Sequence, residues 1–246
     1  AAAPQAEQVA TGLLPPELAA LTHHYEGCRL EAYPDPKTNG KPITIGWGST
    51  FYKDHREIRL GDRITQEEAD ALYEFNCYHR FWKKLEARIP FWEEMNDRQR
   101  AALCSFAYNL GADFYGGANF DTISACLRDR RWEAVPGALM LYRNPRDAHV
   151  VVGLGRRRRA EGLVWLGADP REAIRQAERD ISSAEDARRW EEALRATPPS
   201  SDGTRSRAFP EPASFAELKL QDVIARDLVI DHGDIPSHPA VSYTHL

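Results

Sequence analysis

The sequence predicts an α+β fold in which a small β-hairpin lobe lies beside a larger, mainly helical lobe, with a cleft between them. Three observations support this prediction. Apolar residues recur at helical spacing before Glu26 and again after Thr65. Between Leu30 and Ile58 that period is replaced by prolines, glycines and alternating residues, which is typical of hairpins. The chain has 246 residues, of which 42% are hydrophobic, enough for one sizeable core.

The first helix is predicted to begin at the Pro15-Pro16 pair, because proline suits the first helical position. Its apolar face is formed by Leu18, Leu21, Thr22 and Tyr25. Gly27 is a plausible residue for the left-handed turn that often follows a helix. This spacing predicts that Glu26 lies in the last helical turn.

The larger lobe is predicted from three later segments. Thr65–Glu68 forms a capping box that opens a long helix, with apolar positions at Leu72, Tyr73, Phe81 and Trp82. The next segment, "NDRQRAALCSFAYNLG", is the most apolar helix and ends at Gly111, so it is the predicted core helix. Further helices are expected in "FDTISACLRDRRW" and "RRAEGLVWLG".

Composition divides the chain into an N-terminal linker (residues 1–12), a compact domain (13–168) and a charged, partly linker-like extension (169–246). The extension holds 10 Lys+Arg against 15 Asp+Glu and therefore carries the whole net charge of −5. It includes a possible amphipathic helix, "FAELKLQDVIARDLVI", and its role is open: docking on the domain, joining another module or oligomerisation. The last six residues, "VSYTHL", are interpreted as a translated sequencing-adapter end.

Several classes of protein are disfavoured. The compact part is nearly neutral, so no overall basic field favours nucleic-acid binding. No apolar run approaches the ~20 residues of a membrane span. The four cysteines lack CxxC spacing and the eight histidines lack HExxH spacing, so no metal and no cofactor is expected.

Two carboxylates and a threonine form the candidate catalytic set: Glu26, Asp35 and Thr44 follow one another at intervals of nine residues. A glutamate that closes a helix against an apolar face is expected to have a raised pKa, because desolvation disfavours its charge. An aspartate in a polar turn keeps its charge, and such a pair suits an acid with an ionised partner. On spacing alone, the simpler interpretation is that Glu26 caps a helix and Asp35 begins a turn.

The surrounding residues change that weighing, since "EGCRLEAYPD", "G" and "ITIGWGST" closely resemble the signature of the phage-type lysozymes, or endolysin muramidases. The matching residues are Glu26-Gly27, Leu30, Ala32-Tyr33, Asp35, Gly40, Thr44-Ile45-Gly46, Gly48 and Thr50. "DRQRAALCSFAYNLG" resembles the family's core helix, and "GLGRRRRAEGLVW" resembles its final helix. Three motifs in register, spanning about Leu13 to Leu166, make the resemblance specific.

The sequence departs from the family pattern in two places near the candidate site. "PKTNGKP" lengthens the segment between Asp35 and Thr44, which makes the alignment of Asp35 less secure than that of Glu26. Ser49 occupies a position where many relatives have histidine, so an ion pair is expected to be missing there.

The resemblance implies hydrolysis of the β-1,4 bond between N-acetylmuramic acid and N-acetylglucosamine in bacterial peptidoglycan. Glu26 would be the acid, and Asp35 with Thr44 would hold the attacking water. Substrate contacts are expected from Tyr33, Gly46, Trp47, Gly48, Tyr108 and Asn109. Trp47 has an alternative role in core packing. The arginines of "RRRR" could form a phosphate patch, but Arg157 and Arg158 lie one helical turn from Glu161, which favours a structural role.

The expected partner is peptidoglycan alone, and the protein is expected to be a monomer. Neither nucleic-acid binding nor stable membrane insertion is expected. A phage-encoded protein that passes from the host cytoplasm to the periplasm and cell wall is the implied setting, with virion association as a variant. Two alternatives remain open. One is a lytic transglycosylase, which needs a single acid and is disfavoured by Asp35 and Thr44. The other is a catalytically quiet peptidoglycan-docking domain of a virion protein, which the extension would suit.

Overall fold

The computed structural model describes residues 12–35, 40–144, 146–147 and 149–196. Across this part of the chain, one two-stranded antiparallel hairpin accompanies a mainly helical body, which confirms the predicted α+β class. The predicted helix in "FAELKLQDVIARDLVI", the N-terminal residues 1–11 and the final six residues lie outside the described ranges. The proposed partition into linker, domain and extension remains a prediction.

Helix α1 spans Pro16–Tyr25 and begins with proline, as the sequence predicts. It ends one residue earlier than expected. Glu26 already has an extended backbone (φ −108°, ψ 131°), and its N–H donates the closing hydrogen bond to the carbonyl of Thr22. Gly27 does not adopt the left-handed conformation. The chain thus leaves the helix through Glu26 itself and runs directly towards the first strand.

The hairpin consists of β1 (Arg29–Asp35) and β2 (Gly40–Gly46). Tyr33 lies opposite Thr44, and Arg29 lies opposite Gly46, with irregular register between these pairs. The turn residues 36–39, which belong to the segment that is longer than in the family, lie outside the described ranges. Beneath the hairpin, a small apolar cluster forms the core of this lobe: Ala32, Ile45, Ile58 and Leu72.

A long helical stretch joins the hairpin lobe to the helical body. Helix α2 (Gln66–Cys77) opens with the predicted capping box between Thr65 and Glu68. It continues without interruption through a π-helical segment, Tyr78–Trp82, into α3 (Lys83–Arg88). The sequence predicts one long helix here but not its π-helical segment.

The core of the larger lobe is built around α4 (Asp97–Leu110), which ends at Gly111 with φ 99°. This confirms the predicted core helix and its terminator, since ten of its residues are buried. Phe106 is fully buried and makes edge-to-face contacts with Phe114 and Tyr142. The remaining helices are α5 (Asp121–Arg128), α6 (Val135–Met140), α7 (Val151–Trp165), α8 (Pro170–Asp180) and α9 (Ala184–Ala196).

Candidate active site

Glu26 occupies the junction between α1 and β1 and is only 8% exposed. The extended backbone at this residue turns the chain away from the helix axis, so the carboxyl group lies against α4 and α7 and not in solvent. A buried carboxylate is costly unless a cation accompanies it. The structure supplies that cation from α7.

Arg157 lies 131 residues after Glu26 in the sequence and places Nη1 2.5 Å from its Oε1. The same guanidinium donates from Nε to Glu161 at 3.3 Å and from Nη2 to the carbonyl of Ser105 at 3.1 Å. Arg157 therefore bridges two buried carboxylates and is itself only 3% exposed. Its orientation is fixed at three points, which fixes the Glu26 carboxyl in turn.

Glu161 is the anchor of this network and is fully buried. Its Oε1 accepts hydrogen bonds from the Ser105 hydroxyl at 2.7 Å and from Nη2 of Arg158 at 3.0 Å. The predicted structural role of the arginine pair is confirmed, because both arginines contact Glu161 along α7. What the sequence did not reveal is that Arg157 also reaches Glu26.

Burial raises the pKa of Glu26 above its usual value of 4.5, although Arg157 beside it acts in the opposite direction. This confirms the direction predicted from its place at the end of an apolar helix. Burial alone would lower the pKa of Arg157, but Glu26 and Glu161 outweigh that effect and raise it. Glu26 is thus a carboxyl group that can hold a proton at higher pH than usual beside a permanent cation.

Thr44 lies in β2 and is 6% exposed. Two residues further on, Gly46 (φ +61°) and Gly48 (φ +104°) turn the chain tightly around Trp47. A Cβ on Gly46 would also lie 3.3 Å from the Cβ of Ala69, so both conformation and space favour glycine there.

The remaining predicted substrate residues lie around this turn and on α4. Tyr108 donates its hydroxyl to the carbonyl of Trp47 at 2.6 Å, and burial with nearby Glu26 raises the pKa of this phenol. Asn109 is 6% exposed, and its side-chain oxygen has no hydrogen-bond partner among the described residues. Tyr33 is buried under the guanidinium of Arg29, which lies 4.5 Å from its ring centre. The structure therefore gathers Glu26, Trp47 and Tyr108, while the roles in substrate binding stay predictions.

Asp35 ends β1 opposite Gly40 in the hairpin. Its side chain lies outside what the structure describes, as does the turn that follows it. The assignment of Asp35 as the partner of Glu26 accordingly stays a prediction.

Trp47 is held from two sides. Its ring stacks on His23 at 3.7 Å between centroids and 2° between planes, and its N–H donates to Asp70 at 2.6 Å. The indole face towards His23 is closed to a sugar ring, so the predicted binding role would have to use its other face or its edge. Trp47 thus packs against the core, and its role in substrate binding stays a prediction.

Ser49, which stands where many relatives have histidine, is buried and accepts a hydrogen bond from the Asn76 side chain at 3.0 Å. A neutral pair thus joins the turn to α2 at this position. The hairpin lobe is therefore held against the long helix by a hydrogen bond between two uncharged side chains.

His23 gives the site a predicted pH dependence of stability. Burial lowers the pKa of His23 below 6.5, although Asp70 acts in the opposite direction. Below pH 6.5 the unfolded chain binds a proton that the folded chain refuses, so stability falls as the pH decreases through this range. We expect His23→Phe, which keeps the stack on Trp47, to remove this slope, which is at most ~1.4 kcal/mol per pH unit and reduced by solvent screening.

The measurement is urea unfolding of both proteins at intervals between pH 7 and pH 5. The free energy of unfolding should fall less steeply towards pH 5 in the variant than in the wild type. Equal slopes would contradict a neutral, half-buried His23.

Among the residues that the structure describes, no helix is both long and apolar enough to cross a membrane. No group of three or more His, Cys, Asp or Glu side chains is placed there to hold a metal ion.

Comparison with known proteins gives concordant results. A family model described as phage lysozyme matches residues 23–161. The endolysin of Salmonella phage P22 is 30% identical over 140 residues, which cover 55% of this chain and 87% of that protein. Among solved structures, a P22 lysozyme mutant aligns with a TM-score of 0.50 and 26% identity, over 63% of this chain and 98% of that one. The muramidase domain of SpmX from Asticaccaulis excentricus aligns with a TM-score of 0.52 and 25% identity, over 63% and 98%.

Proposed function

The chain belongs to the phage lysozyme family, and from this premise we propose that it hydrolyses the β-1,4 bond between N-acetylmuramic acid and N-acetylglucosamine in bacterial peptidoglycan. The relatives named above are an endolysin, a lysozyme and a muramidase domain, which support a lysozyme-type activity on the cell wall. The observation that carries the specific reaction is the buried Glu26, whose pKa is raised beside Arg157.

In the proposed mechanism, Glu26 donates its proton to the glycosidic oxygen of the leaving sugar. Arg157 bonds to Oε1, so Oε2 is the oxygen that carries the proton. While Glu26 is protonated, Arg157 keeps its ion pair with Glu161, which it shares with Arg158. Once the proton has left, the new carboxylate has Arg157 at 2.5 Å, which stabilises the product of the transfer. The network therefore tolerates both states of the acid.

Asp35 and the Thr44 hydroxyl are proposed to orient a water molecule for attack on the opposite face of the sugar. This arrangement gives inversion of configuration, which requires about 6.5–9.5 Å between the two carboxyl groups. Thr44 is well suited to a fixed role, since it is buried in a strand and cannot reorient freely.

The experiment that tests the reaction is digestion of purified peptidoglycan sacculi with analysis of the released fragments by mass spectrometry. Fragments with hydrated N-acetylmuramic acid at the reducing end support the proposal. Anhydro-sugar ends would replace it with a transglycosylase reaction. Binding to the sacculus without release of fragments would replace it with a docking function.

Thr44→Val tests the water-orienting role. Valine preserves the branched shape and suits a strand, but it cannot hydrogen-bond to water. We expect kcat to fall roughly 10²-fold, as for the loss of one fixed polar group in an active site, with little change in KM. Steady-state assays on soluble peptidoglycan fragments, with circular dichroism as the check on folding, measure this. A kcat within twofold of wild type would remove Thr44 from the mechanism.

The proposed setting is that of a phage-encoded protein reaching the cell wall from the host cytoplasm. The proposed substrate is peptidoglycan alone, and the protein is proposed to act as a monomer. Light scattering of the purified protein at micromolar concentration tests the last point.

A further inference from the structure

Helices α8 and α9 follow the part of the chain matched by the phage lysozyme model, which ends at residue 161. They pack mainly against α7, and α8 also packs against α1. The candidate site depends on α1 and α7, because α1 leads directly into Glu26 and α7 carries Arg157.

The buried part of the contact between α8 and α1 is apolar, and at its exposed edge His24 lies 3.4 Å from Glu178. Leu21, five residues before Glu26, is fully buried in a cluster with residues of α7 and α8. The α8 members of that cluster are Ala173, Ile174 and Ala177. The end of α1 is therefore held between α7 and α8, and it is free to shift only if this cluster opens.

The arginine run on α7 divides between two faces. Arg157 and Arg158 turn inward to Glu26 and Glu161. Arg156 donates to the carbonyl of Ile181 at 2.7 Å, and Arg159 pairs with Asp180 at 2.7 Å. The side chains of Arg159 and Asp180 are 15% and 12% exposed, so this ion pair is largely shielded from solvent.

Helix α9 closes the arrangement. The guanidinium of Arg159 lies 4.0 Å from the ring centre of Trp190, whose N–H donates to the carbonyl of Asp180. Gly155 on α7 allows a close approach, since a Cβ there would lie 3.4 Å from both Ile181 and Ala187. Ile181 is fully buried at the point where α8, α9 and α7 meet.

From these contacts we propose that residues 170–190 form a brace that positions the candidate active site, by holding α1 and α7 at the separation at which Arg157 meets Glu26. The proposal rests on the proposed function only for its kinetic consequence. In this assignment the first part of the extension acts together with the domain, and Ile181 is the positioning residue that seats it on α7.

Glu26 directly follows α1, Arg157 lies in α7, and the two side chains meet through a single short contact at 2.5 Å. Packed helices move as units, so a slight separation of α1 from α7 is transmitted to that contact. The face of α8 that meets α1 and α7 is apolar, whereas its outward face carries the exposed ion pairs of Glu172 with Arg175 and Arg179.

Ile181→Ala in the full-length chain tests the brace. Ile89→Ala is the matched control, because Ile89 is a similarly buried isoleucine that follows α3 and belongs to a core cluster without residues of α8 or α9. Two quantities are measured well below the melting temperature of each protein. The first is the titration of the Glu26 carboxyl carbon by NMR, which requires no activity. The second is the pH profile of kcat on soluble peptidoglycan fragments.

We expect Ile181→Ala to move the Glu26 titration to higher pH, because the stabilising contact with Arg157 is weakened. The kcat should fall about tenfold with KM unchanged. This corresponds to a displacement of Glu26 smaller than the ~1 Å that can cost 10²-fold. The descending alkaline limb of the kcat profile should move to higher pH together with the Glu26 titration. Ile89→Ala should lower the melting temperature but leave the titration and kcat as in the wild type.

The proposal is overturned if Ile181→Ala leaves the Glu26 titration unchanged, or if both variants shift it equally. A wild-type protein without activity, but with a titration that moves only in Ile181→Ala, would refute the proposed function and support the brace.

Discussion

Glu26→Gln is expected to lower the rate at which the protein clears permeabilised Gram-negative cells by roughly 10²–10⁴-fold, the usual contribution of a general acid. Glutamine has the shape of glutamic acid but no proton to donate at any accessible pH. The leaving sugar would then depart as an alkoxide, which is the step that the acid avoids. Turbidity measurements on wild type and variant at equal concentration give the ratio directly.

The variant should remain folded, which makes the result interpretable. The glutamine carbonyl oxygen can still accept the hydrogen bond from Nη1 of Arg157. Arg157 also keeps its ion pair with Glu161, which lies 3.3 Å from its Nε and is shared with Arg158. Thermal unfolding followed by circular dichroism checks this, and binding to sacculi should be preserved.

Glu17→Gln provides the matched control. Glu17 lies at the start of α1, the end far from Glu26, and pairs there with Arg98. Its clearing rate should equal that of the wild type. Clearing by Glu26→Gln at a rate near wild type would refute the assignment of Glu26 as the acid.

Much of the fold could be predicted because its signals are local. The capping box at Thr65, the proline that begins α1 and the glycine that ends α4 each act within four residues. A second capping box, between Asn96 and Gln99, opens α4 and could have been recognised by the same rule. Its N-x-x-Q spacing was the available signal.

Features that depend on distant contacts could not be predicted in this way. The π-helical segment at Tyr78–Trp82 adds one residue to a helical turn, and hydrophobic periodicity does not specify where such an insertion occurs. The docking of α8 on α1 joins parts of the chain about 150 residues apart. Whether an amphipathic helix packs on its own domain or on another partner is not encoded in its own pattern.

The candidate site shows the same division. Glu26 and its raised pKa followed from a helix end and an apolar face, both local features. The pairing of Arg157 with Glu26 closes a loop of 131 residues, and the local spacing on α7 pointed only to Glu161. Ser105 was missed for a related reason, because it is a small residue within an apolar helix with nothing to mark it.

Arg157→Gln is expected to destabilise the protein by roughly 3–5 kcal/mol at neutral pH, the usual cost of leaving a buried charge without its partner. Glu161 keeps Arg158 and the Ser105 hydroxyl, so the deficit falls mainly on Glu26. Urea unfolding measures the difference. Arg175→Gln is the control, because its pairing with Glu172 is exposed and its removal should change stability little.

The pH dependence of this loss distinguishes the mechanism from a simple packing defect. Without Arg157, the pKa of Glu26 should rise further above 4.5, since burial is then unopposed by its nearest cation. A raised folded pKa means that the folded state holds a proton that the unfolded chain releases as the pH increases. The variant should therefore be closest to wild type near pH 4.5 and fall behind it progressively towards pH 7. A deficit that is the same at both pH values would mean that Arg157 stabilises the fold through its packing and not through the charge of Glu26.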